Sequence, residues 1–260
     1  MTGTPLLQAD DLRKTYGGFV AVDGVSLTLR DGGSLAVVGE SGSGKTTTAR
    51  MIAGLERPTS GRVSVSGVTR AERRGDRLRR AGEIQMVFQD PYSSLDRRQR
   101  VRDAIGEVLA LHERLSGTAL RARVAELLDQ VGLDGRQADA LPRSLSGGQR
   151  QRVAIARALA VRPRVLILDE AVAALDVSVQ AQILTLLAGI RARSGVAYLF
   201  ITHDLGIVRH VCDDVAVMRG GRVVERGPVE RVLSAPEHPY TRALLDSVPR
   251  RGWTPRRGLT

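Results

Sequence analysis

Cysteine is almost absent from this sequence: of its 260 residues only Cys212 carries a thiol. One thiol forms no internal disulfide and supplies no multi-cysteine metal or iron–sulfur site. Its plain reading is a small half-buried residue. Aromatic residues amount to 3%, leaving few rings for the base stacking used by single-strand nucleic-acid binders. Long apolar runs are missing too. Residues 165–168 and 196–201 are among the longest, far short of the roughly 20 residues that span a bilayer. Residues 1–11 lack the basic start, apolar stretch and small-residue cleavage site of a secretory signal. A cytoplasmic location is the expectation.

Lysine is scarce as well, occurring only at positions 14 and 45, so the net charge of +11 is almost entirely arginine. Such a charge favours anionic partners in general. Here it is spread along the chain, and its densest stretch, residues 70–80, is interrupted by Glu72 and Asp76. That pattern reads as a solvated face, and no nucleic-acid partner is expected. With 42% hydrophobic and 26% charged residues, the composition is that of a globular chain able to bury a substantial core in one elaborated domain.

Short alternating runs separated by glycines, such as Val20-Ala21-Val22 and Val25-Ser26-Leu27-Thr28-Leu29, predict antiparallel strands between residues 6 and 29. Leu35-Ala36-Val37-Val38 predicts a buried strand, followed by a glycine-rich turn and a helix over residues 45–55. Apolar residues at helical spacing between Val101 and Val131 predict two helices in an inserted subdomain, bounded at about residues 91–142. Further on, helices near 148–161, 177–190 and 205–211 alternate with strands at 165–168, 196–201 and 215–218, which implies a parallel sheet covered by helices. Val179, Ile183, Leu186, Leu187 and Ile190 make one core-facing stripe, and Asp176 is placed to cap that helix.

Gly39-Glu40-Ser41-Gly42-Ser43-Gly44-Lys45-Thr46 fits G-x-x-x-x-G-K-[ST] between the buried strand and its helix. Glycines let the backbone wrap a polyphosphate, with N–H groups and the helix N-terminus facing the anion. Lys45 is expected to pair with β- and γ-phosphate oxygens of ATP. Thr46, followed in the helix by Thr47, is expected to ligate Mg²⁺. Asp169 ends the apolar strand at the sheet's carboxyl edge, where it can hold the metal directly or through water. Adjacent Glu170 is the natural general base for an attacking water.

Leu145-Ser146-Gly147-Gly148-Gln149 precedes another helix and offers a second N–H-lined end to phosphate. The phosphate loop, this LSGGQ loop and the Asp169-Glu170 strand end together resemble the ATP-binding-cassette (ABC) ATPases, over nearly the whole chain. The resemblance implies an α/β P-loop NTPase with a mostly parallel sheet core, an N-terminal antiparallel β-subdomain and an inserted helical subdomain. It implies that Tyr16 stacks on adenine, although a core tyrosine remains open on the residue alone. It also implies that Gln89 contacts metal and attacking water, and that His203 is a switch near the γ-phosphate. Ala174-Leu175-Asp176 would cross a dimer interface. Two such subunits would associate head to tail, each ATP lying between one phosphate loop and the other chain's LSGGQ.

Phe88-Gln89-Asp90-Pro91-Tyr92-Ser93-Ser94-Leu95, Asp176-Val177-Ser178-Val179-Gln180-Ala181-Gln182 and His238-Pro239-Tyr240-Thr241 are similar to the peptide and nickel importer branch. That likeness implies a C-terminal tail over about residues 228–260 and a place on the cytoplasmic face of the membrane. The implied partners are a second ATPase subunit, membrane permease subunits and, indirectly, an extracytoplasmic solute-binding protein. The inserted subdomain would receive a short permease helix. Two other readings stand beside this one: a soluble accessory cassette of the carbon–phosphorus-lyase type, and a nucleic-acid-directed cassette. Two departures from the family pattern are notable. Ala171 and Ala173 stand where proline and serine are usual, which frees backbone torsion after Glu170 and is expected to loosen its loop. The lone Cys212 also excludes the iron–sulfur centre of some relatives.

Overall fold

Strands buried on both faces read as unbroken apolar runs, and that is how the central sheet is built. The computed structural model describes residues 5–69, 77–90 and 95–247. Its strands are β1 (Pro5–Tyr16), β2 (Phe19–Arg30), β3 (Ser34–Val38), β4 (Ser60–Val65), β5 (Val68–Thr69), β6 (Ile84–Val87), β7 (Val165–Asp169), β8 (Ala197–Thr202), β9 (Asp214–Arg219) and β10 (Arg222–Pro228). One sheet has the order β10-β9-β3-β8-β7-β6, and the other β2-β1-β4-β5. In the first, β9, β3, β8, β7 and β6 are parallel neighbours and β10 is an antiparallel edge. The second is antiparallel throughout.

The helices are α1 (Lys45–Ala53), α2 (Arg77–Glu83), α3 (Val101–His112), α4 (Gly117–Gln130), α5 (Gly135–Asp139), α6 (Gly147–Leu159), α7 (Val177–Ser194), α8 (Leu205–Val211), α9 (Val229–Ser234) and α10 (Pro239–Asp246). Side chains along the parallel strands alternate between two cores, as the two-residue pleat dictates. Ala36, Val38, Leu166, Leu168, Tyr198 and Phe200 face the core shared with α3, α4, α6 and α7. Leu35, Val37, Val165, Ile167, Leu199 and Ile201 face the other, with Ala49, Met51 and Ile52 of α1 and the inner face of the antiparallel sheet. Each fully buried side chain of this kind stabilises the fold by about 1.5–3 kcal/mol. Helix α1 therefore sits between the two sheets, anchored just behind the loop that precedes it.

Within the segment expected as an inserted subdomain lie α3, α4 and α5, tied together where the Val101 N–H donates to the Ala140 carbonyl at 3.1 Å. Ile105, Leu109, Leu127 and Leu128 weld it to the main core. The α7 stripe is as the periodicity predicts: Ile183, Leu187 and Ile190 are buried, with Val179 and Leu186 packed partly buried against them. Asp176 occupies the N-cap position of α7, but its side chain makes no cap hydrogen bond and stays exposed, a correction to the expected cap. Helix α7 starts instead from the Gln180 N–H bond to the Asp176 carbonyl, 2.8 Å.

Several sequence-derived features lie partly or wholly outside the described residues. They are residues 1–4, the greater part of the basic stretch 70–80, residues 91–94 of the Phe88–Leu95 motif, and the tail beyond residue 247. Among the described residues no helix is long and apolar enough to cross a membrane. Cys212 is half-buried, and burial pushes its thiol well above the usual range.

Candidate active site

Strand β3 ends at Val38 in the middle of the parallel sheet, and the next six residues reverse the chain into α1. Three glycines make the reversal possible, with φ of +153° at Gly39, +79° at Gly42 and +98° at Gly44. The loop is pressed against its neighbours: a Cβ on Gly39 would lie 2.2 Å from the Met218 carbonyl oxygen, and one on Gly44 2.6 Å from that of Ala21. Gly39→Ala is expected to destabilise the chain by about 1–3 kcal/mol through strain at this φ. The control Gly18→Ala, where a Cβ meets nothing within 4 Å, should stay near neutral. Denaturant midpoints check the pair.

The loop's side chains fall into two sets. Glu40 and Ser41 are exposed at its rim, and Thr47 is half-buried on α1. Ser43 and Lys45 are buried, each 5% exposed. The Ser43 hydroxyl has no hydrogen-bond partner among the described residues, and an orphaned buried hydroxyl inside a glycine-rich cradle fits a loop shaped for an oxygen-rich anion. Lys45 Nζ donates to the carbonyls of Gly39 and Glu40 at 2.8 and 2.7 Å. Burial lowers the Lys45 pKa; the carboxylates of Glu170, Asp169 and Glu40 oppose that without cancelling it.

Across the loop, β7 delivers Asp169, 5% exposed, so that its Oδ1 accepts a hydrogen bond from the Thr46 hydroxyl at 3.1 Å. Burial raises the Asp169 pKa, as does Glu170, against the Thr46 bond and the charges of Arg50 and Lys45. Two hard oxygen donors thus meet at one point, a donor set suited to Mg²⁺. Glu170 has φ +47° and is held by its N–H bond to the Ile201 carbonyl, 2.9 Å. Its Oε1 lies 3.4 Å from Nδ1 of His203, which follows β8. Gln89 is exposed two residues beyond Val87, whose strand partner is Leu168, so it lies at the same sheet edge.

Around Ala171 and Ala173 the backbone is tied down by the Ala173 N–H to the Glu170 carbonyl at 3.0 Å and the Leu175 N–H to the Val172 carbonyl at 3.1 Å. The Gln180 side-chain amide also donates to Val172, at 2.9 Å. Sequence reasoning quoted Gln180 only as a branch marker; its hold on this loop was not foreseen.

Tyr16 ends β1 with its ring 48% exposed, so the buried-core alternative does not apply. The Lys14 ammonium lies 5.0 Å from the ring centroid and is pinned by Glu56 at 2.5 Å and the Arg57 carbonyl at 2.7 Å. One of the chain's two lysines therefore supports an exposed ring at the end of β1, on the same strand face two residues away.

The LSGGQ segment opens α6 through a capping box: Ser146 Oγ accepts from the Gln149 N–H at 3.3 Å, and Gln149 Oε1 from the Ser146 N–H at 3.0 Å. Gly147 and Gly148 let α6 approach α7 closely, since a Cβ on Gly148 would lie 2.6 Å from Val179 Cγ1. This loop packs against Leu175 and Val179, whereas the phosphate loop packs against Ala21 and Met218.

A phosphate loop leading into a helix, a buried acid on the threonine of that loop, and a carboxylate and histidine at the next strand ends define a P-loop nucleoside-triphosphatase. The family model described as ABC transporter matches residues 22–173, and that described as oligopeptide/dipeptide transporter, C-terminal region, matches residues 224–258. The chain is 44% identical over 258 residues to the dipeptide transport ATP-binding protein DppF of Haemophilus influenzae, covering 95% of this chain and 79% of that one. It is 51% identical over 243 residues to the oligopeptide transport ATP-binding protein OppD of Mycobacterium tuberculosis, 92% of this chain but only 39% of that longer relative. Among solved structures, a dimeric ATP-binding cassette in a post-hydrolysis state with ADP and Pi aligns at TM-score 0.75 and 29% identity, over 86% of this chain and 99% of that one. The chain belongs to the ABC transporter family.

Proposed function

We propose that this chain is the ATP-hydrolysing subunit of a membrane importer for peptides, working as a head-to-tail pair of cassettes. The observation that carries the reading is the joining, in one chain, of a phosphate loop and LSGGQ helix with a C-terminal region of the oligopeptide/dipeptide transporter type. In the proposed mechanism the N–H groups of residues 42–46 and the Lys45 ammonium bind the β- and γ-phosphates of ATP. Thr46 and Asp169 would hold Mg²⁺, which would neutralise phosphate charge when bound. Glu170 orients a water for in-line attack and receives its proton, while His203 holds the carboxylate from 3.4 Å and Gln89 borders the same edge. Tyr16 presents its ring to adenine. Ser146, Gly147 and Gly148 offer the α6 N-terminus to the nucleotide on the partner cassette, beside Asp176. ATP thereby favours the closed pair, and loss of the γ-phosphate releases it.

Coupling to a permease is assigned to the inserted subdomain. A cavity of about 1080 Å³ there is lined by Leu120, Val124 and Leu128 with Arg102, Asp103 and Arg121 at its polar part. An apolar floor with charged edges suits a short amphipathic helix. The test is reconstitution in proteoliposomes with a permease pair and a solute-binding protein of the peptide-importer type. ATP-dependent uptake of a labelled oligopeptide is the expected result. Stable association with a soluble enzyme complex, and none with a permease, would overturn the importer reading. Nickel uptake in place of peptide would correct the cargo alone.

A further inference from the structure

The sequence motif His238-Pro239-Tyr240-Thr241 marks a branch of the family but has no part in the chemistry above. In the structure it reaches the phosphate loop. The hydroxyl of Tyr240, a residue 6% exposed, accepts a hydrogen bond from the backbone N–H of Glu40 at 3.1 Å, across 200 residues of chain. The Arg219 guanidinium covers the Tyr240 ring at 4.8 Å. Arg219 ends β9 directly after Met218, the residue whose carbonyl abuts Gly39. The Tyr240 turn is itself held in place. Glu225 of β10 accepts from the N–H groups of Glu237 and His238 at 2.8 and 3.0 Å, and the Tyr240 N–H donates to His238 Nδ1 at 3.1 Å.

We infer that Tyr240 is a positioning residue of the phosphate loop, through which the C-terminal region fixes the loop's entry for ATP. The inference rests on reading residues 39–46 as the phosphate site. A loop with three positive-φ glycines has much conformational freedom to lose on binding. Among the described residues, four hydrogen-bonding contacts restrain its entry, residues 39–43: Lys45 on the Gly39 and Glu40 carbonyls, Ser43 N–H on the Glu40 carbonyl at 3.3 Å, Gly221 N–H on the Ser43 carbonyl at 3.1 Å, and Tyr240 on Glu40. The first is surrendered when the ammonium turns to phosphate. The second lies within the loop. The two holds from outside then come from the β9–β10 turn and from α10, and only the Tyr240 hold is made by a side chain. It restrains the loop before ATP arrives, so part of the ordering is complete in advance.

The test is Tyr240→Phe in the full chain, which deletes the hydroxyl but keeps the ring under Arg219. Amide hydrogen exchange at Glu40 should accelerate about tenfold, and the KM for ATP should rise about fivefold with kcat nearly unchanged, as loss of one neutral hydrogen bond implies. The melting temperature should stay close to that of the parent. Unchanged Glu40 exchange and unchanged KM would overturn the inference. So would a lowered melting temperature with exchange raised throughout α10 and β9, which marks a merely structural tyrosine. Lys45→Ala serves as the separate control. If it leaves ATP affinity intact, the phosphate-loop reading fails; if it abolishes binding while Tyr240→Phe changes nothing, only the Tyr240 role fails.

Discussion

Glu170→Gln is expected to cut ATP turnover by about 10²–10⁴-fold, the usual contribution of a positioned general base, while leaving nucleotide affinity within a few fold. The substitution is nearly isosteric. The Ile201 carbonyl still receives the residue 170 N–H, and the +47° φ is unaffected by side-chain chemistry. What is lost is the capacity to take a proton from the attacking water. On the proposed mechanism the variant bound to ATP should accumulate as a dimer, because the γ-phosphate that would hold two cassettes together is no longer removed. Single-turnover hydrolysis and light scattering with and without ATP measure the two halves of this expectation. Turnover at the parental rate would remove Glu170 from its role. Normal affinity without a dimer would instead count against the head-to-tail arrangement.

Lys45→Ala should act earlier in the cycle, raising the Kd for ATP by about 10²-fold, on the scale of one or two charge-assisted hydrogen bonds. Titration calorimetry distinguishes it from Glu170→Gln, which binds and stalls. The lysine also leaves a pH signature. Because burial lowers its folded-state pKa below the unfolded value, the native state holds this proton less tightly than the unfolded chain. The penalty is fully present below the folded pKa and is relieved as pH rises through it toward the unfolded value. The parent should therefore gain stability relative to Lys45→Ala on moving from neutral to alkaline pH. Melting curves of both proteins across that range check the sign, and a difference that moves the other way would mean Lys45 is not desolvated.

Much of this molecule was legible as a string. The phosphate loop is contiguous, its glycines are demanded by local backbone geometry, and β3 and β7 announce themselves as apolar runs. The parallel sheet covered by helices followed from the alternation of strand and helix segments, and the core-facing stripe on α7 from its spacing, whereas the division of the interior into two cores came only from the structure. Asp176 shows where local rules stop: its type and place suit a cap, yet the side chain remains exposed and makes no cap hydrogen bond. Strands β4, β5, β6 and β10 and the short helices α2, α5 and α9 were not predicted, since their apolar residues are too few to make a readable run or stripe.

Chain order alone was enough to give the fold class, the phosphate-loop motif and the family, since each depends on neighbouring residues whose spacing is read directly. Tertiary structure decided which distant groups meet. Thr46 finds Asp169, Glu170 finds His203, and Tyr240 reaches Glu40 only because the sheet order and the return of β10 bring them together. Such contacts depend on how strands are ordered and helices packed, which no short window of sequence contains.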